Sequence, residues 1–223
     1  MRKNLILLDL IFYVGLPLLF WNGLRDVIGD YYAMLASSVP AIIYSLYRFY
    51  EVKKINITGL YIITTLVIGT LIDVLAGSAL QMLWNNVFYN AAIGTFIFTT
   101  ILIKRPMALY FGLDFAELQG HDRTFCKHLF NHKKIFIIFQ LVTLSFALRS
   151  GVFAVIKSWL IIEYGVEAFD KGILVRQVIG WLFTGMTMFG FFYIAKVIKD
   201  HPEIIKGVEK ELYGKEEGLR KES

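Results

Sequence analysis

Six stretches of this chain, 5–22, 31–49, 57–76, 84–103, 135–162 and 173–198, are mainly apolar and 18 to 28 residues long, enough for the roughly 20 that a span needs. At about 1.5 Å of rise per residue, each reaches across the roughly 30 Å hydrocarbon layer of a bilayer. Lipid offers no hydrogen bonds to a bare backbone, so segments of this kind must be helices. The expected fold class is therefore all-α, a polytopic membrane helix bundle with six transmembrane helices. Composition agrees: 57% of the 223 residues are hydrophobic and 18% charged, with a mean hydropathy of +0.58, too apolar for a soluble domain of this size.

The longest polar interruption, 104–134, sets the orientation. It opens with Lys104-Arg105-Pro106 and closes with His132-Lys133-Lys134, each directly against an apolar run. Lysine and arginine stay on the cytoplasmic side. Eighteen of the 23 basic residues fall in the amino terminus, the connection after the second stretch, the 104–134 loop and the tail; Arg25 and Lys171 alone lie in the opposite connections. Both termini are thus expected in the cytoplasm of a multi-pass inner-membrane protein. The domain reading is 1–198 as the membrane domain and 199–223 as a charged cytoplasmic tail. The net charge of +5 and pI near 9.2 come from span ends and not from a basic face, so no nucleic-acid partner is expected. Met1-Arg2-Lys3-Asn4 before an apolar run imitates a signal peptide, but no small-residue cleavage site follows and an uncleaved first span is expected. The single cysteine, Cys126, excludes an internal disulfide.

Several local features refine this picture. Pro17 and Pro40 should kink their spans. Trp21, Trp84 and Trp159 should be half wet at the outer interface. Ala147 with Gly151, and Gly180 with Thr184, place small residues four apart where the last two spans could approach closely. Pro106 to Leu118 reads as an amphipathic helix along the inner surface, or as an extension of the fourth span, with Met107, Phe111, Phe115 and Leu118 on its apolar stripe and Tyr110, Asp114 and Glu117 on the wet side. His121, Cys126, His128 and His132 follow it, but without a recognised zinc spacing; neither metal nor cofactor is expected. The Asn56-Ile57-Thr58 sequon lies on the inside.

Ionisable residues within spans are costly and point to a site. Asp73, Arg149 and Arg176 fall at similar depth in the outer half of the bilayer, and Gln81, Asn85, Asn86, Asn90 and Gln177 join them as candidate substrate-binding residues. Asp9 lies in the first span, and Lys157 is close enough to the outer end to snorkel. Asp73 is expected to approach Arg149 or Arg176. Two readings stand: a structural ion pair with polar helix glue, or a polar cavity opening outward whose surplus positive charge favours an anionic small molecule or lipid headgroup. No His-Glu-x-x-His, Gly-x-Ser-x-Gly or P-loop pattern is present, and Lys104-Arg105-Pro106 is only a fragment of a lipid-phosphatase motif, so no enzyme is expected.

Three stretches together carry a family resemblance: Gly77-Ser78-Ala79 through Met82-Leu83-Trp84-Asn85; Ile101 through Lys104-Arg105-Pro106 to Ala108-Leu109-Tyr110-Phe111; and Arg176-Gln177 through Gly180-Trp181. Over most of 5–198 the chain resembles an uncharacterised family of bacterial six-span inner-membrane proteins distantly related to intracellular septation protein A. The resemblance implies an inner-membrane location and a link to the envelope or cell division, and carries over no catalytic residue. Membrane lipids are the expected surroundings. A non-catalytic scaffold, with protein partners at the cytoplasmic loop and tail, is the alternative to a transporter-like function.

Overall fold

The computed structural model describes residues 5–52 and 56–221. Arg2, Lys3, Lys53 and Lys54, which carry part of the charge asymmetry, lie outside the described residues, as do the side chains of Arg48, Lys215, Arg220 and Lys221. Among the described residues the chain is all-helical: α1 (Leu5–Leu10), a π turn (Ile11–Gly15), α2 (Leu16–Ile28), α3 (Asp30–Val52), α4 (Ile57–Val74), α5 (Ala79–Leu102), α6 (Met107–Leu118), α7 (Arg123–Asn131), α8 (Lys133–Tyr164), a 3-10 turn (Gly165–Glu167), α9 (Ala168–Asp200) and α10 (Pro202–Lys221).

Three helical stretches are long and apolar enough to cross a bilayer: Leu8–Ile28, Ile57–Val74 and the run Lys133–Asp200 that holds α8 and α9. A fourth exists if α5 and α6, bent by 84° at their junction, count as one broken span. That bend sits at Lys104, which adopts a left-handed φ of 57° before Pro106 starts α6. The helix α3 has the length but not the apolarity, because Tyr31, Tyr32, Ser37, Ser38, Tyr44 and Ser45 dilute it. For α4 the case for lipid is sharpest: this 18-residue apolar helix buries one residue, Gly59, against the protein. An apolar surface so bare would aggregate in water.

The chain forms two compact units, Met1–Gly94 with Leu148–Leu182, and Thr95–Ala147 with Phe183–Ser223. In the first, Trp21, Met34, Leu83, Met82, Leu160 and Ile161 make the core. Trp21 is fully buried, against the expectation that it lies half wet at the interface. The reason is its neighbours: Phe169 packs 5.0 Å from its ring and the Arg25 guanidinium covers it at 4.5 Å. Arg25 also meets Glu167 at 2.7 Å and Asp30 at 3.4 Å, so the basic residue of this connection is already matched by acids. Trp159, by contrast, is 56% exposed. Gly29, at φ 80°, lets α2 end and α3 begin within one residue.

Both prolines are accommodated without breaking their helices. Pro17 follows the π turn, whose wider loop accommodates a residue that has no N–H and whose ring crowds the preceding turn. Pro40 lies inside α3, where Ser37 and Ser38 donate to the carbonyls of Ala33 and Leu35, both at 2.7 Å. Asp9 accepts a 2.9 Å hydrogen bond from the Tyr44 hydroxyl, and Phe12 stacks on that ring at 4.7 Å.

In the second unit, α6 contributes Ala108, Leu109, Leu113 and Ala116 to a core with Phe130, Ile135, Phe139 and Val142. Two close approaches define the packing. A Cβ on Gly112 would lie 2.8 Å from the Phe139 ring, and one on Gly190 would overlap Val142. One of the free amides at the start of α6, on Ala108, donates to the Thr143 hydroxyl at 3.1 Å. The expected water-facing side of α6 is corrected: Asp114 is 2% exposed, not wet. It is buried because Arg123, at the start of α7, folds back to hold it at 2.9 Å and Glu117 at 2.5 Å. Phe115 and Leu118 stay uncovered by protein. The tail begins inside this unit, with Ile204 and Val208 of α10 buried in the same core.

Candidate functional site

The first unit gathers the intramembrane charges around the α4–α5 connection. Asp73 is the penultimate residue of α4, and the turn ends where Ser78 accepts from the Gln81 amide at 3.2 Å. This short turn folds α5 back so that the Asn86 side-chain amide donates to Asp73 Oδ1 at 2.5 Å. Asn86 also donates to the Met82 carbonyl at 3.1 Å, which fixes its orientation. From α3, the Tyr31 hydroxyl reaches the Val74 and Asp73 carbonyls at 2.6 and 3.2 Å, satisfying groups that a helix end leaves bare.

Two cations act on this carboxylate at longer range, and a third is coupled to one of them. Lys157 of α8 and Arg176 of α9 both act electrostatically on Asp73, and Arg176 acts on Lys157 and on Arg149. Arg149 lies over Gly180, whose absent side chain leaves room for the guanidinium: a Cβ there would sit 3.6 Å from Nη2. The small-residue spacing thus admits a charge at this position, while a Cβ on Gly151 would meet nothing within 4 Å. Tyr61 also faces Arg149, and the Tyr89 hydroxyl donates to the Thr65 carbonyl at 2.7 Å.

Of the eight candidate residues, Asp73 and Asn86 are in contact, and Arg176 acts electrostatically on both Asp73 and Arg149. Asn90 turns its amide to the Asn86 carbonyl of its own helix at 2.7 Å. Gln81 is exposed at the start of α5, while Asn85 and Gln177 are half-buried. Reading by depth missed Lys157. Its place two turns beyond Arg149 on α8 suggested a snorkelling chain, yet it belongs to the Asp73 neighbourhood. Three formal positive charges against one negative is a layer suited to attracting an anion. Among the described residues no group of three or more His, Cys, Asp or Glu side chains could hold a metal ion.

No family model matches the chain, and neither a curated protein nor a solved structure matches it.

Proposed function

We propose that this protein is a six-span bacterial inner-membrane protein, with both termini and the 104–134 loop in the cytoplasm, that handles an anionic small molecule or lipid headgroup at its outward polar layer. One observation carries the reading: Asp73, hydrogen-bonded to Asn86, lies in the field of Lys157 and Arg176, with Arg149 adding a third cation. An ion pair built only for stability needs one cation per carboxylate, because every extra charge at bilayer depth is costly. The side chains of Arg149 and Arg176 are also exposed from the protein and free to meet a ligand. Support for six spans comes from the charge asymmetry and from helices α8 and α9, which at 32 and 33 residues each exceed the roughly 20 that one crossing needs. The resemblance to the septation-protein relatives fits an envelope role of this kind, transport-like and without catalytic chemistry.

The test uses charge-selective thiol labelling from the outside. An Asn85→Cys variant should react faster with a sulfonate methanethiosulfonate than with its trimethylammonium counterpart, each rate normalised to free cysteine. Adding Arg149→Gln and Arg176→Gln should remove that preference. A cysteine at this position that stays unlabelled, or that prefers the cationic reagent, rules the site out and leaves the scaffold reading. Reporter fusions at Arg123 should read inside, and those at Asp30 and Glu167 outside; one inversion breaks the six-span topology.

A further inference from the structure

We propose that the charged layer of the first unit takes up a proton together with its anion, and that Lys157 is the group that carries the proton. This rests on the anion reading of that layer and adds a second ion to it. The three cations form a series along α8 and α9. Arg149 and Lys157 lie eight residues, about 12 Å, apart on α8, and Arg176 of α9 acts on both. Among the described residues, none of the three makes a hydrogen bond or an ion pair at contact distance. Enclosure is not the reason. The side-chain atoms sealed off without a partner are, among the described residues, Trp21 Nε1 and His132 Nδ1; Lys157 is half-buried and both arginines are exposed. Their N–H groups are open donors with no acceptor in the protein.

The three cations differ in one chemical respect. A guanidinium keeps its proton at any pH a protein survives, whereas an ammonium crowded by like charge can release one. The charged groups that act on Lys157 are Asp73 from α4 and Arg176 from α9. From α5, Asn86 meets Asp73 with a neutral amide, and from α3 the Tyr31 hydroxyl turns to the Asp73 and Val74 carbonyls. Asp73 is thus one carboxylate shared between Lys157 and Arg176, and an arriving anion supplies the missing negative charge. The step is an association: the Lys157 amine, one proton from water and the anion give an ammonium–anion pair of no net charge. Anion and proton stabilise each other there, so anion binding weakens as pH rises through the titration of Lys157. Uptake that is neutral overall also avoids bringing a bare charge to bilayer depth.

The probes are the sulfonate and trimethylammonium methanethiosulfonates, applied from outside to the full chain carrying Asn85→Cys in membrane vesicles. The scan runs from about pH 6 to about pH 10, close to where an ordinary lysine titrates. Both reagents attack the same thiolate, so the ratio of their rates, normalised to free cysteine at each pH, cancels the thiolate fraction. The ratio of sulfonate to trimethylammonium should be high at low pH and fall about fivefold as pH rises, the effect of one unit charge at about 8 Å in a half-wet site. Lys157→Arg fixes the charge and should hold the ratio high throughout; Lys157→Gln should hold it low. Asp73→Asn should raise the ratio and keep its pH dependence. The scan with Lys157 intact decides the matter even where a Lys157 variant fails to fold, which its unfolding temperature reveals. An anionic preference that ignores pH, or a pH dependence that survives Lys157→Arg or vanishes with Asp73→Asn, overturns the proton coupling and leaves the anion site standing. No anionic preference at any pH removes the site and the coupling with it.

Discussion

Both units set a carboxylate beside cationic groups, but they balance the charge in opposite ways. In the second unit, one arginine serves two acids at contact distance: Arg123 meets Asp114 at 2.9 Å and Glu117 at 2.5 Å. The hydrogen bonds it donates to Glu117 and then to Asp114 push the guanidinium above its ordinary range. In the first unit, Asp73 makes its close contact with a neutral amide, Asn86, while Lys157 and Arg176 act from further away. The first arrangement is closed and fastens α6 to α7. The second leaves positive charge unspent at a site where proteins rarely tolerate it. The difference separates a charge that holds the fold from charges held ready for something else.

Breaking the closed cluster should cost the most. Arg123→Gln leaves Asp114 buried without its cation and should destabilise the protein by about 2–3 kcal/mol, a figure at the low end for a buried pair because Arg123 keeps 39% of its side chain exposed. Adding Asp114→Asn should restore most of that loss, as read by thermal unfolding in detergent. Should Arg123→Gln prove neutral, the cluster is not what fastens α6. Next comes Thr143→Val, which removes the acceptor for the Ala108 amide and should cost about 1–2 kcal/mol. Asp73→Asn should move stability by less than about 1 kcal/mol, because Asn86 can still bond the amide and the cations sit further off. Its signature should be functional: faster labelling of Asn85→Cys by the anionic reagent. A large stability loss here would make the first unit resemble the second and remove the contrast. The smallest effect concerns Cys126, 6% exposed, whose burial, with Asp122 adding to it, pushes the thiol up from its ordinary range. Less thiolate at neutral pH means slower alkylation in the folded protein than in the unfolded chain, with the rate climbing as pH rises. Maleimide kinetics check this, and rapid native labelling would show that the α7 core opens readily.

Much of the helical content was legible because apolar length alone dictates helices in lipid. The α4 stretch reads directly, since it faces almost nothing but its surroundings. The face of α6 did not, because it is apolar on two sides: Met107, Phe111 and Phe115 form one stripe, and Ala108, Leu109 and Leu113 another. Spacing cannot say which stripe meets protein, and Asp114 on the buried side depends on a partner nine residues later across a turn. Trp21 failed for a related reason. Depth puts an indole near the interface, but Phe169 and Arg25, remote in sequence, decide that it is enclosed. Within the charged layer, depth found Asp73, Asn86 and Arg176. It discarded Lys157 because a position along an axis says nothing of how far a long side chain reaches inward.

The π turn at Ile11–Gly15 gives the first membrane helix two angular rulers instead of one. Each residue of an α-helix advances by about 100°, so one residue added to a turn rotates everything before it by that amount relative to everything after. On one side of the turn, this phase brings Asp9 to the Tyr44 hydroxyl; on the other, it carries Pro17 and Trp21 into the core. Deleting a single residue from Ile11–Gly15 would leave the segment helical, apolar and long enough to span. It would nonetheless swing Asp9 about a quarter of a turn away from Tyr44 while Trp21 stayed in place, exposing a carboxylate to lipid. At this point in the chain, then, a length change is an orientation change, and the extra residue works as a phase shifter between two faces of one helix.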